Sequence, residues 1–149
     1  TYIGQGKTQF TPMHGAMIGA AVANGGILMN PYLIECVDHA GGETIKRFTP
    51  TVYGSLMTAQ EAALLSEMMR AVVTDGTGSA LRNENYTVAG KTGSAEFETG
   101  KETHAWFVGF APVEKPELVV SVIVEEGGSG GRTAGPVARA VFDVWFGRK

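Results

Sequence analysis

Apolar residues return at helical spacing in three stretches of the chain and at strand spacing in five, with glycine and proline marking most of the breaks. In "TAQEAALLSEMMRAVVTDG", Ala62, Leu65, Met68, Met69, Val72 and Val73 recur every three or four residues, opposite Ser66, Glu67 and Arg70. Thr58 and Glu61 have the spacing of a capping box and Gly76 supplies the stop, so the pattern predicts a helix with the methionine pair in the core. "TPMHGAMIGAAVANGG" predicts a second helix. Thr11 caps its first turn, Pro12 fits position N1 and Gly25-Gly26 ends it. Its small residues imply close packing against a neighbouring element. A last helix is predicted from Gly135 to Phe146, where Val137, Ala138, Val141, Phe142 and Trp145 share the face expected to lie on a sheet.

"YLIECVD" and "ETIKRFT" read as strands joined by a hairpin turn at "HAGGE". "YTVAGKTGSAEF", "HAWFVGFAPV" and "ELVVSVIVEE" read as three more. The last of these is apolar almost throughout, as expected of a strand covered on both faces. No crossover helix fits in the short links between the three, which predicts antiparallel neighbours. The fold class is therefore α+β: three core strands in an antiparallel sheet, packed with helices, plus a small hairpin from the first half.

Composition narrows the function classes. The 149 residues suffice for one domain with a real core, and 18% charged content is ordinary for a globular protein. A net charge of −3 without a basic cluster argues against nucleic-acid binding. Cys36 is alone, so no internal disulfide forms, and its strand setting predicts a buried structural thiol. No apolar run approaches the length of a membrane span. The opening lacks an initiator Met and a secretory leader, and the chain reads as an excised piece of something longer. His14, His39 and His104 lie on three different elements without metal-ligand spacing, so neither metal nor cofactor is expected. Glu96, Glu98 and Glu102 read as a solvated loop. "VIVEEGGSGGRTAGP" fails the P-loop pattern, because Arg132-Thr133 follows Gly131 and Glu126 stands where the first glycine belongs. It reads as a flexible turn.

"AGKTGSAE" carries the remaining chemistry. Lys91 offers a cation, Thr92 and Ser94 offer hydroxyls, and Gly93 lets a ligand approach the backbone. On an edge strand these groups suit acyl transfer, which needs an oxyanion donor, a positive charge and a hydroxyl for a substrate carboxylate. With its surroundings the stretch resembles the transpeptidase domain of penicillin-binding proteins. "IGQGKTQFTPMHGAMIGAAVANGGILMNPYLI" is similar to the family's segment ahead of its third motif. "AGKTGSAE" is similar to the motif itself. "HAWFVGFAP", "ELVVSVIVEEGG" and "AGPVARAVFDVWF" are similar to the strands and helix that follow. The resemblance covers essentially all of residues 1–149 and is nearest to the monofunctional, class B type.

The resemblance implies that the chain is the C-terminal portion of the penicillin-binding-protein/β-lactamase-like transpeptidase fold. It implies catalytic roles for Lys91 and Ser94. A substrate-binding set of Lys91, Thr92, Gly93, Ser94 and Ala95 would meet a D-Ala-D-Ala stem peptide of peptidoglycan or a β-lactam. The amide of Ser94 would form half of the oxyanion hole. The implied parent is membrane-anchored, with its catalytic domain outside the cytoplasm and the cell-wall synthesis machinery as its company. One departure stands out. None of Ser55, Ser66, Ser79, Ser94, Ser121 and Ser129 has Lys three positions on or Asn two positions on. The nucleophilic Ser-x-x-Lys and the Ser-x-Asn motif are thus expected upstream, and the chain alone is expected to be inactive. It is also expected to self-associate or to retain the N-terminal remainder of its domain. The alternatives are a non-catalytic binding or scaffold module, a β-lactam sensor, or a β-lactamase-related protein.

Overall fold

The computed structural model describes residue 9 and residues 11–147. Residues 3–8 and 10 of the stretch ahead of the motif lie outside the described residues. Helix α1 (Pro12–Ala23) starts on a capping box, with the Thr11 hydroxyl accepting from the His14 amide and His14 reaching back to the Thr11 backbone. It stops at Asn24, after which Gly25 and Gly26 take φ of 64° and 92°. Four short strands follow: β1 (Ile27–Met29), β2 (Cys36–Asp38), β3 (Thr44–Arg47) and β4 (Val52–Ser55). β2 and β3 form the expected hairpin, and β1 pairs with β4 in a further antiparallel ladder. That second ladder gives little sequence signal, because its strands run to only three and four residues and show no alternation.

Helix α2 (Ala59–Thr74) carries the predicted box. The Glu61 carboxylate accepts from the Thr58 amide at 2.8 Å, and the Glu61 amide donates to the Thr58 hydroxyl at 3.2 Å. The amide bond holds the Glu61 carboxyl below the usual carboxylate range. Its buried face is narrower than the pattern implies. Ala62 and Val73 are buried and Met69 packs on the core, whereas Leu65 and Met68 are exposed.

The core sheet has the order β5 (Ala89–Ala95), β6 (His104–Ala111), β7 (Leu118–Val124), antiparallel throughout. β5 is an edge strand, as its motif required. One face of the sheet packs Phe107, Ala105 and Val120 against Leu81, Ala134, Ala138 and Phe142, the last two on helix α3 (Gly135–Phe146). Gly90 and Gly109 stand opposite each other across β5 and β6, and a Cβ on either would run into the Phe107 ring. These two glycines are what allow that ring to lie flat on the sheet. The other face packs Ala89 and Phe110 against Val22. Gly19 of α1 lets the helix approach so closely that a Cβ there would lie 3.0 Å from Val108 Cγ1 and 3.1 Å from Val119 Cγ1.

Two expectations of burial are corrected and one holds. Cys36 is only half-buried, because its hairpin stands outside the core and every residue of β3 is exposed. β7 is covered on both faces, as its apolar run predicts, by α1 over Val119 and by the α3 side over Val120, with none of its residues exposed. On α3, Ala138 and Phe142 face the sheet, but Val137, Val141 and Trp145 are exposed, so its apolar surface is wider than the contact it makes.

Candidate active site

Strand β5 sorts the motif by alternation. Register pairs Lys91 with Val108 and Gly93 with Trp106, and pairs Thr92 with Phe107 and Ser94 with Ala105. Lys91 and Gly93 therefore lie on the α1 face, and Thr92 and Ser94 on the α3 face. A ligand lying along the outer edge of β5 reaches both faces at once. Ala95 closes the strand opposite His104.

Lys91 is exposed, and its ammonium donates to the Thr92 carbonyl at 2.5 Å. The ion pairs among the described residues involve Arg47, Lys101 and Arg139 but not Lys91. Its positive charge thus stands on the edge strand of the sheet. Thr92 is only 7% exposed, and its hydroxyl bonds that of Thr77 at 2.5 Å. Ser94 is exposed, and its hydroxyl accepts from the Gly130 amide at 3.3 Å. Ser94 is therefore the better placed of the two motif hydroxyls to meet a ligand.

The connection between β7 and α3 shapes this face. Where the sequence predicts a flexible turn, the chain forms a π-helical turn, Gly130–Ala134, pressed against the motif strand. A Cβ on Gly130 would fall inside contact distance of the Gly93 and Trp106 carbonyl oxygens, and one on Gly131 would collide with the Thr77 carbonyl. The same connection is tied to the loop between β5 and β6. The Gly128 amide donates to the Thr103 carbonyl at 2.8 Å, and the Thr103 hydroxyl donates to the Gly128 carbonyl at 2.7 Å. The Glu126 amide donates to His104 Nδ1 at 3.0 Å, while the His104 ring stacks on Phe97 with centroids 4.0 Å apart. Glu96, Glu98 and Glu102 are exposed on that loop, where Glu98 pairs with Lys101 at 3.1 Å.

Sequence reasoning found the strand and missed what backs it. Thr77 lies just past the Gly76 stop and carries no reading of its own, and Gly130 and Gly131 fall in the connection expected to be a flexible turn. The only available signal was the placement of each on a glycine-flanked segment, which does not report a tertiary contact.

The chain thus presents a three-stranded antiparallel sheet whose edge strand carries a lysine, two hydroxyls and a glycine, backed by a glycine-rich turn. Residues 1–143 match the model of the penicillin binding protein transpeptidase domain. The chain belongs to that family.

It is 37% identical to the peptidoglycan D,D-transpeptidase PbpA of Mycolicibacterium smegmatis over 150 residues, covering 94% of this chain and 30% of that protein. It is 34% identical to the peptidoglycan D,D-transpeptidase MrdA of Acinetobacter baumannii over 158 residues, covering 97% of this chain and 23% of that protein. Among solved structures, penicillin-binding protein A of M. tuberculosis as its penicillin G acyl-enzyme superimposes with a TM-score of 0.87. There the identity is 34%, over 96% of this chain and 33% of that one. The chain thus spans about a third or less of the relatives it matches.

Proposed function

We propose that residues 1–149 are the C-terminal portion of a transpeptidase domain in a peptidoglycan D,D-transpeptidase, contributing its Lys-Thr-Gly strand. The edge placement of Lys91-Thr92-Gly93-Ser94 carries this reading, because it leaves a backbone edge and two side-chain faces for one extended ligand. A D-Ala-D-Ala stem peptide or a β-lactam lies antiparallel to β5 as an added strand. Gly93 gives it room, and Ala95 continues the contact. The Ser94 hydroxyl, with Thr92 behind it, receives the terminal carboxylate. The Lys91 ammonium supplies positive potential and hydrogen bonds to the hydroxyl network around the nucleophile.

Chemistry begins when a serine from a Ser-x-x-Lys motif outside these 149 residues attacks the penultimate D-Ala carbonyl or the lactam. The tetrahedral oxyanion is held by the Ser94 amide and a second amide from the nucleophile's own segment. One such donor contributes about 3 kcal/mol to the transition state. Collapse of the stem-peptide intermediate breaks the D-Ala-D-Ala amide and releases the terminal D-Ala, and the acyl group then passes to the amine of a neighbouring stem peptide, freeing the serine; a lactam instead opens its ring and stays on the serine. With no serine in the required pattern, the chain by itself turns nothing over. Among the described residues no helix is long and apolar enough to cross a membrane. The anchor, the extracytoplasmic setting and the contacts with cell-wall synthesis machinery belong in this reading to the rest of the parent.

The test is to incubate the complete protein with a labelled penicillin and map the adduct. A covalent label on a serine of a Ser-x-x-Lys sequence is expected. Absence of any adduct overturns the enzymatic reading and leaves the non-catalytic module, which a stem-peptide titration of the isolated chain then examines.

A further inference from the structure

We propose that Thr77 is a positioning residue for the ligand-facing side of the motif strand: it orients the Thr92 hydroxyl and thereby sets the hydroxyl face that receives a ligand's carboxylate. The inference rests on the acyl-transfer reading above and adds to it a residue outside the motif.

Three observations converge on this side chain. First, Thr77 Oγ1 and Thr92 Oγ1 are 2.5 Å apart, and Thr92 is buried, at 7% exposure. Burying a hydroxyl without a partner is costly, and Thr77 supplies that partner. Second, the Thr77 backbone is held from two directions. The next residue's amide, that of Gly78, donates to the Val72 carbonyl at 2.9 Å. On the other side the Thr77 carbonyl lies against Gly131 so closely that no Cβ fits between them. Third, Gly131 belongs to the same turn whose Gly130 amide donates to the Ser94 hydroxyl.

The motif's two hydroxyls, Thr92 and Ser94, are therefore each tied to the segments behind them, one through Thr77 and the other through Gly130. Of the two threonines, Thr77 is exposed and Thr92 is not. Only one proton lies between a pair of hydroxyls, so whichever threonine donates, the other keeps a proton to point elsewhere. Replacing the Thr77 hydroxyl with a methyl leaves Thr92 buried without its partner and free to rotate. Loss of one neutral hydrogen bond of this kind corresponds to roughly a five- to tenfold effect on an equilibrium or rate.

The experiment uses the complete protein carrying Thr77→Val, Thr77→Ser or Thr77→Ala, reacted with penicillin G and separately with its methyl ester, which lacks the carboxylate. Acylation rate constants and thermal midpoints are measured for each. Thr77→Val is expected to slow penicillin G about five- to tenfold while changing the ester much less, and Thr77→Ser to restore most of the loss. Thr77→Ala shrinks the side chain and cannot crowd the strand. It carries the same expectation where the valine variant does not fold. Equal slowing of penicillin G and its ester, an unchanged rate in both hydroxyl-deleted variants, or a serine variant as slow as valine overturns the inference. If the unsubstituted protein forms no adduct, the acyl-transfer reading itself fails, and that outcome is distinct from any of these.

Discussion

Gly130→Ala adds one methyl group where the structure has no room for it. A Cβ built on Gly130 lies inside contact distance of two backbone carbonyl oxygens, those of Gly93 and Trp106, and 2.8 Å from the Gly93 nitrogen. Gly130 does not adopt a positive φ, so alanine brings no conformational penalty of its own and the cost is steric. None of the atoms it meets is a flexible side-chain end. To regain ordinary carbon–oxygen contact, the π-helical turn and β5 must separate by about 1 Å, and overpacking of this kind costs about 1 to 3 kcal/mol. The separation also stretches the 3.3 Å bond from the Gly130 amide to the Ser94 hydroxyl, and it moves Gly93 at the centre of the motif. A displacement of about 1 Å in a catalytic strand can lower a reaction rate by about a hundredfold. Stopped-flow acylation of the complete protein by a fluorescent penicillin is expected to slow at least tenfold. The thermal midpoint is expected to fall by only a few degrees. A variant acylated at the unsubstituted rate refutes the view that this turn fixes the strand. A variant that unfolds outright shows that the contact serves stability before it serves the site.

Other perturbations separate core from site. Phe107→Ala removes a fully buried ring from over Gly90 and Gly109 and is expected to cost about 3 to 5 kcal/mol in denaturant unfolding. Thr58→Ala breaks the capping box of α2 and is expected to cost about 1 kcal/mol, with no change in acylation. Tyr86 is buried and donates to the Asp143 carboxylate at 2.6 Å; burial first, and that carboxylate second, raise its pKa well above the ordinary phenol value. The folded state therefore holds the phenolic proton more tightly than the unfolded chain. Its contribution is fully present below about pH 10 and is lost as pH climbs toward the folded value. Urea midpoints between about pH 9 and 11 should fall for the unsubstituted protein, and fall less steeply for Tyr86→Phe.

The elements that the sequence announced are those whose signals are local. Capping by Thr11 and Thr58, the glycine stop after α1 and the three long strands all follow from residues within one turn or one alternation of each other. Burial was less legible, because it depends on what lies across from an element. Met68 and Leu65 share a helical face with Val73, yet only part of that face meets the sheet. Cys36 follows an apolar run, but its strand belongs to a hairpin held by its own ladder and not by the core. Periodicity states which residues could be inside together; it does not state how wide the contact is.

The candidate site divides along the same line. Lys91, Thr92, Gly93 and Ser94 are adjacent in sequence, so a motif could point to them as a set. The structure then splits that set by strand alternation, with the charge on one face and the hydroxyls on the other. A pocket on either face of the sheet would reach only half of the motif. An extended ligand along the free edge reaches all of it, which is why the edge position of β5 matters more than any single side chain. The same geometry places Thr77, Gly130 and Gly131 behind the strand. An edge strand has a hydrogen-bonded neighbour on one side only, and here the described neighbour is β6. Its other supports must come from segments distant in sequence, and these reach it through a hydroxyl pair and through glycines that leave no gap. A strand with one edge unpaired among the described residues is held from behind, and no spacing within the motif records by what.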